Sequence, residues 1–334
     1  MSDLTPKYDN PVAVIGGAGF LGQELVKQLV NAGCPEVRVL DLCDYPADCR
    51  DNVHVFRIDT RTSDLTKALK GVSVVFHLAA CQYHSTLGPS TYRLPFFDVN
   101  VYATQRLLDV AQALRIGRFV FASTNMVYGY PQEPQMRETH PLQPFGPYGH
   151  SKLEAEKRVE RACEAGLDAS IVRPAVIIGP GRVGLFSNIF ERILHGSTIW
   201  IIGPGNNRVQ MVASEDCARL LLLAGASKGF SIYNCGADNP PTMRELFTSV
   251  IDYANSRSQV RGLPSLLVKT GLWALESLHL SPYRKDQYAV ADLDFVLNTS
   301  AAKEQLGWSL KWTTEQALIE TFKWYCTIER KPRY

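Results

Sequence analysis

An apolar run that ends in spaced glycines restricts this chain more than any other stretch: Val12-Ala13-Val14-Ile15-Gly16-Gly17-Ala18-Gly19-Phe20-Leu21-Gly22. Four apolar residues with no polar alternation predict a strand buried on both faces, as in a parallel sheet. Gly16 permits a tight turn, Gly19 a close approach of backbone to a ligand, and Gly22 close helix–strand packing. A helix starting here presents backbone N–H groups and the positive end of its dipole, which suits a phosphate. Because the pattern follows a buried strand near the N-terminus, a dinucleotide site is expected at Gly16, Gly19, Phe20, Leu21 and Gly22.

The alternation of strand and helix continues. A helix is expected over 23–31, strands over 37–40 and 53–58, a short helix over 63–69, and a strand over 73–78. A long helix over 99–114, a strand over 118–122, a proline-rich loop after Tyr130, a second long helix over 148–165 and a sixth strand over 169–172 follow. The expected class is α/β, a Rossmann-type doubly wound parallel sheet whose core spans 1–178. Beyond 179, short apolar runs (199–202, 232–233) lie among helices (186–194, 214–226, 242–253, 300–306, 314–327). They predict a smaller C-terminal α/β substrate lobe over 179–334, with room for the chain to cross back to the core.

Composition bounds the partners. A net charge of +2 argues against a nucleic-acid surface, and 46% hydrophobic content can fill a sizeable core. The eight cysteines show no CxxC and no metal-type spacing, which fits reduced thiols, no metal and a cytoplasmic protein. The first ten residues lack the apolar centre of a secretory signal. The most apolar late segment, 263–280, is interrupted by Lys269, Glu276 and His279. A packing helix, or the lining of a greasy pocket, is expected there in place of a membrane span.

Asp41 ends the second strand. A carboxylate there accepts hydrogen bonds from both ribose hydroxyls of an adenosine and repels a 2′-phosphate, so NAD is expected in preference to NADP. Arg38 and Arg50 are the nearby cations that would oppose this. Asp59 and Thr60 suit an adenine contact, and a plain turn equally well. Tyr148 and Lys152 stand one turn apart on one helix face. Tyrosine, with a reference pKa of about 10, is a poor base at neutral pH. A lysine ammonium together with a cationic nicotinamide would stabilise its phenolate; a drop of ~3 units corresponds to ~4 kcal/mol. Thr124, at the end of the fifth strand, can bind the same substrate oxygen that Tyr148 deprotonates.

These motifs together resemble the extended short-chain dehydrogenase/reductase superfamily, which includes the NAD-dependent epimerase/dehydratase family. The likeness lies in the 16–22 loop, Phe76-His77-Leu78-Ala79-Ala80, Asn100, the 123–129 run, Tyr148 with Lys152, Arg173-Pro174 through Gly179-Pro180-Gly181, and the 302–308 tail. The Arg-Pro-Ala and Gly-Pro-Gly run resembles the 3β-hydroxysteroid dehydrogenase-like branch more than the nucleotide-sugar enzymes. The resemblance implies that Tyr148 is the acid/base, that Lys152 holds the nicotinamide ribose and lowers the Tyr148 pKa, and that Thr124 orients the substrate oxygen. It implies that Leu78, Ala79 and Ala80 line the pyrophosphate and nicotinamide ribose, that Asn100 edges the active site, and that Pro174 and Val176 lie by the nicotinamide. It also implies a homodimer formed through helices 99–114 and 148–165.

Three departures narrow the reaction. Asn125 and Met126 stand where sugar dehydratases of the family carry an Asp-Glu pair, and neither can supply an acid or base. Met126 likewise argues against nucleotide-sugar decarboxylases. Val176 stands where nucleotide-sugar enzymes place an Asn, and Arg208 is displaced by one residue from the Arg expected before Glu215-Asp216. The expectation is an NAD-dependent oxidoreductase or epimerase that moves a hydride to or from a secondary alcohol or ketone carbon of a small molecule. The alternatives are a nucleotide-sugar 4-epimerase proper, a 3β-hydroxysteroid dehydrogenase-like enzyme or ketone reductase, and a non-catalytic NAD-binding sensor.

Overall fold

The computed structural model describes residues 6–46, 51–82, 96–182, 184–278 and 288–329. Its centre is β1 (Val12–Ile15), buried at every position. On one side β1 pairs with β2 (Val37–Asp41), on the other with β4 (Val74–His77). With β3 (Val53–Arg57), β5 (Arg118–Ala122), β6 (Ala169–Pro174) and β10 (Ser231–Cys235) these form a seven-stranded sheet in the order β10-β6-β5-β4-β1-β2-β3. Every pairing in it is parallel.

Side chains alternate across this sheet, and the two faces bury different residues. Val12 and Val14 join a core with Leu25, Leu29, Leu221 and Trp308. Ala13 and Ile15 join the opposite core with Leu107, Phe121, Ala155 and Val159. The first face is covered by α1 (Phe20–Asn31), the second by α3 (Ala103–Ala113) and α4 (Gly146–Glu164), with the short α2 (Thr66–Leu69) at its edge.

Helix α1 begins at Phe20, ahead of the expected Gln23, because Gly19 is extended (φ −72, ψ 170) and serves as the N-cap. The helix expected over 99–114 is two pieces: a π-helical segment Asp98–Tyr102 runs into α3. Helix α4 starts before Tyr148, with Pro147 in its first turn, where a missing N–H costs nothing. The loop approaching Phe96 includes residues 83–95, outside the described residues, as are Cys49, Arg50 and His279.

Past β6 the chain builds a second unit. β7 (Val176–Ile178) pairs with β9 (Met211–Ala213), and β8 (Ile199–Ile202) with β11 (Val260–Leu263). Phe190 of α5 (Ser187–Leu194) and Phe247 of α7 (Met243–Tyr253) pack with Leu318 and Phe322 of α10 (Thr314–Glu329). Helix 214–226, which the sequence grouped with the smaller lobe, lies against the first face of the main sheet as α6 (Ser214–Ala226), and β10 joins that sheet beside β6. The reason is hydrophobicity all round: Cys217, Leu220, Leu221, Leu222 and Ala224 are all buried. Helix α9 (Ser300–Leu306) closes on Gly307 in the left-handed conformation, which leads Trp308 into the same core.

The apolar segment at 263–280 forms α8 (Ser265–Ser277), which buries none of its residues fully. Leu266 is 78% exposed and Trp273 61%. Val268 and Leu272 line a groove of about 800 Å³ with Ile189, Trp200 and Ile202. Among the described residues no helix is long and apolar enough to cross a membrane.

Candidate active site

The turn after β1 is packed backbone against backbone. Gly16 has φ +82, and a Cβ there would stand 2.6 Å from the Ala79 nitrogen. A Cβ on Gly22 would stand 2.2 Å from the Gly16 carbonyl oxygen. The N–H groups of Leu78 and Ala79 both donate to the Ile15 carbonyl, at 2.8 and 2.9 Å, so the loop after β4 is fixed to the end of β1. Gly19 brings no side chain to the first-turn N–H groups of Phe20, Leu21 and Gly22. These are the parts of a diphosphate cradle: a helix N-terminus with no capping side chain beside a backbone turn that admits no Cβ.

Asp41 stands at the end of the neighbouring strand. Its carboxylate accepts from the Ala18 N–H at 2.9 Å and from the Cys43 N–H at 3.0 Å, tying it to the glycine turn. Each oxygen keeps a lone pair for a further donor. Arg38 does not oppose it: its guanidinium donates to Glu36 and to the carbonyls of Ala68 and Lys70. Asp59 pairs with Arg61 at 2.7 Å and accepts from the Arg61 N–H, while the Thr60 carbonyl accepts from Arg106. The turn role anticipated for Asp59 is thus present, and the Arg61 guanidinium holds its carboxyl below the ordinary range.

Tyr148, Thr124 and Lys152 converge where β5 ends. Thr124 caps a short 3₁₀ turn, Asn125–Val127, accepting from the Met126 N–H. The Tyr148 hydroxyl is buried beside Thr124 and accepts from Gln82 Nε2 at 3.3 Å. Its ring meets Phe96 edge-on. Lys152 Nζ, also buried, donates to the Ala122 carbonyl at 2.6 Å and lies 4.0 Å from the Phe121 ring centroid. Burial pulls the Lys152 ammonium down to about 7. Burial also pushes the Tyr148 hydroxyl up, partly offset by the Gln82 hydrogen bond, the neighbouring Thr124 hydroxyl and the Arg182 charge. The lowered Tyr148 expected from Lys152 is therefore not supplied by the protein alone; a cationic nicotinamide would have to complete it.

Other expected residues take supporting places. Asn100 sits in the π-helical turn, a frequent locus of function. Its amide brackets Cys81, accepting from the N–H at 2.8 Å and donating to the carbonyl at 3.0 Å, and donates to Ser151 Oγ at 2.9 Å. It thereby joins the loop after β4 to the helix that bears Tyr148. Pro174 ends β6, buried, and Val176 opens β7 opposite Met211. Arg208 donates to the Pro240 carbonyl. Asp216 accepts from the N–H groups of Lys311 and Trp312, and Glu215 accepts from the side chains of both. That acidic pair anchors the C-terminal tail.

Gln82 and Arg182 were not singled out by sequence. Both carry polar groups in loops that directly follow motifs, which is the one signal that would have marked them. Among the described residues no cluster of metal-ligating side chains occurs. The cradle, the acceptor at Asp41 and the buried hydroxyl pair fit a dinucleotide laid from the glycine turn to Tyr148.

The profile of the NAD-dependent epimerase/dehydratase family matches residues 12–236. A Sinorhizobium fredii protein, the uncharacterized protein y4nG, is 34% identical over 319 residues, spanning 93% of this chain and 78% of its own. A 3-beta-hydroxysteroid dehydrogenase of Mycolicibacterium neoaurum is 27% identical over 98% of this chain and 95% of its own. A dTDP-glucose 4,6-dehydratase from Streptomyces venezuelae, a double mutant of DesIV solved with NAD bound, superposes with a TM-score of 0.76. It is 28% identical, with 94% of this chain and 96% of that chain covered. Fold, cradle and profile agree: this chain belongs to the NAD-dependent epimerase/dehydratase family, whose members are enzymes with NAD as cofactor.

Proposed function

We propose that this enzyme interconverts a secondary alcohol and a ketone on a small molecule, with Tyr148 as the acid/base. The observation that carries this reading is the buried Tyr148 hydroxyl beside Thr124, one helical turn from Lys152. When bound, NAD accepts a hydride from the carbinol carbon or returns it. The glycine turn and the start of α1 would hold its diphosphate, Asp41 its adenosine ribose, and Lys152 its nicotinamide ribose. Thr124 orients the substrate oxygen, and Tyr148 takes or returns the hydroxyl proton.

Asn125 and Met126 provide no acid–base pair for water elimination, so the reading is redox or epimerisation in preference to dehydration. Val176 and the diversion of Arg208 to Pro240 weigh against a nucleotide diphosphate on the substrate. The likeness to a 3-beta-hydroxysteroid dehydrogenase over 98% of this chain supports a second, narrower reading, in which an apolar hydroxy or keto compound is taken. The reading extends to a cytoplasmic homodimer paired through α3 and α4, with residues 1–178 as the core of the NAD-binding domain and a substrate lobe built mainly beyond 179.

The test is deuteride transfer from 4-deuterated NADH to a panel of nucleotide sugars, hydroxysteroids and 3-oxo acids. Transfer to at least one compound that is lost in Tyr148→Phe is expected. Full turnover in Tyr148→Phe would remove the tyrosine from its role.

A further inference from the structure

The loops after β4 and β7 meet over the site. A Cβ on Gly179 would stand 2.6 Å from Ser214 Oγ, and one on Gly181 would stand 3.3 Å from the Phe20 ring. Gly179 and Gly181 are thus pressed against Phe20 at the start of α1, with Ser214 at the start of α6 against Gly179, and Arg182 follows directly. From there Arg182 Nη2 donates to Gln82 Oε1, and Gln82 Nε2 donates to the Tyr148 hydroxyl. One amide spans the cleft, joining a guanidinium to the reacting oxygen.

We propose that Gln82 is a further catalytic residue and Arg182 a positioning residue that acts through it, together directing the Tyr148 oxygen toward Thr124 and stabilising it as phenolate. The inference rests on the reading of Tyr148 as acid/base. An amide whose oxygen is bound by a cation is the stronger N–H donor, because the two hydrogen bonds polarise one another. Lys152 is already held by the Ala122 carbonyl. Among the described residues, the titratable and charged groups around Tyr148 are Lys152 on its own helix, the Cys81 thiol from the loop after β4, and Arg182 from the loop after β7. Of these, Arg182 is the one whose charge reaches the hydroxyl through a donated N–H. The Cys81 thiol acts in the opposite sense.

The experiment uses full-length, NAD-loaded protein carrying Gln82→Ala, Gln82→Glu, Arg182→Ala or Arg182→Lys. Ionisation of Tyr148 is followed by ultraviolet difference titration, each variant against its own Tyr148→Phe counterpart, so no substrate is needed. Removing the cation makes the phenolate less stable, so Arg182→Ala and Gln82→Ala should move the titration to higher pH. Gln82→Glu, which pairs with Arg182 but cannot donate, should do the same, and Arg182→Lys should recover most of the shift. With a substrate from the exchange panel, kcat at neutral pH should fall roughly tenfold in Arg182→Ala and the alkaline shift of its pH profile should match. Titration curves that coincide across all four variants would overturn the inference. Retained turnover in Tyr148→Phe would instead overturn the acid/base reading, and the titration would still report whether Arg182 reaches the hydroxyl.

Discussion

Lys152 Nζ donates to the main-chain carbonyl of Ala122 at 2.6 Å, the residue that closes β5 just before Ser123 and Thr124. One bond therefore fixes the distance between the helix that carries Tyr148 and the strand end that carries Thr124. The same bond takes an amine out of water, and burial opposes its charge.

That opposition has a measurable sign. Lys152 titrates near 7 in the folded protein and at 10.5 in an ordinary setting. Between those values the unfolded chain binds the proton and the folded protein does not, so this group makes stability rise with pH across the window. Below it the fold carries the full penalty. Lys152→Met should raise the stability of NAD-free protein at pH 6 by on the order of 1 kcal/mol while abolishing deuteride transfer. Calorimetry at pH 6 and pH 9 checks this: the gain should shrink at the higher pH, and a loss at pH 6 would refute it.

Asp41 holds the glycine turn through the Ala18 N–H, and in the proposed function it also meets the cofactor's ribose. Asp41→Asn keeps the shape but loses the charge that repels a 2′-phosphate. The native protein should bind NAD at least about tenfold more tightly than NADP, and the variant should bring the two affinities within a few-fold. Titration calorimetry with both cofactors decides it; equal affinities in the native protein would end the argument.

Arg173 and Glu156 form a bidentate pair at 3.0 and 2.7 Å, with the two side chains 1% and 0% exposed. The guanidinium also donates to the Tyr128 hydroxyl at 3.1 Å, and Tyr128 donates to Asn234 at 2.6 Å. Glu156→Leu strands a buried cation and should cost about 3–5 kcal/mol in denaturant unfolding. Adding Arg173→Met should return most of that loss. A single variant as stable as the native protein would mean the charge has another partner.

The sequence was most legible where local pattern and burial coincide. β1 is a continuous apolar run because both its faces are covered, and the glycines after it are required by backbone contacts a Cβ would occupy. Tyr148 and Lys152 share a helix face, so their proximity follows from spacing alone. Contacts between loops leave no such trace: Gln82 and Arg182 are brought together by two turns remote in the chain. The sequence marked 214–226 as a helix and grouped it with the smaller lobe; the tertiary fold buries it against the main sheet with Trp308, a placement that local pattern does not encode. The π-helical turn at Asn100 also escaped, because one extra residue per turn shifts the register without changing the residue types.

β6 and β10 lie side by side in register, Ser170 opposite Ser231, yet the chain between them leaves the sheet at Ala175 and returns through α6. The excursion over 176–213 thus starts and finishes on adjoining parts of one rigid frame, like a handle on a cup. A handle can be lengthened, reshaped or exchanged while the frame keeps its register. Diversity in what this architecture acts upon can therefore accumulate there by insertion and deletion, with the geometry of the glycine turn and the Tyr148 helix inherited unchanged.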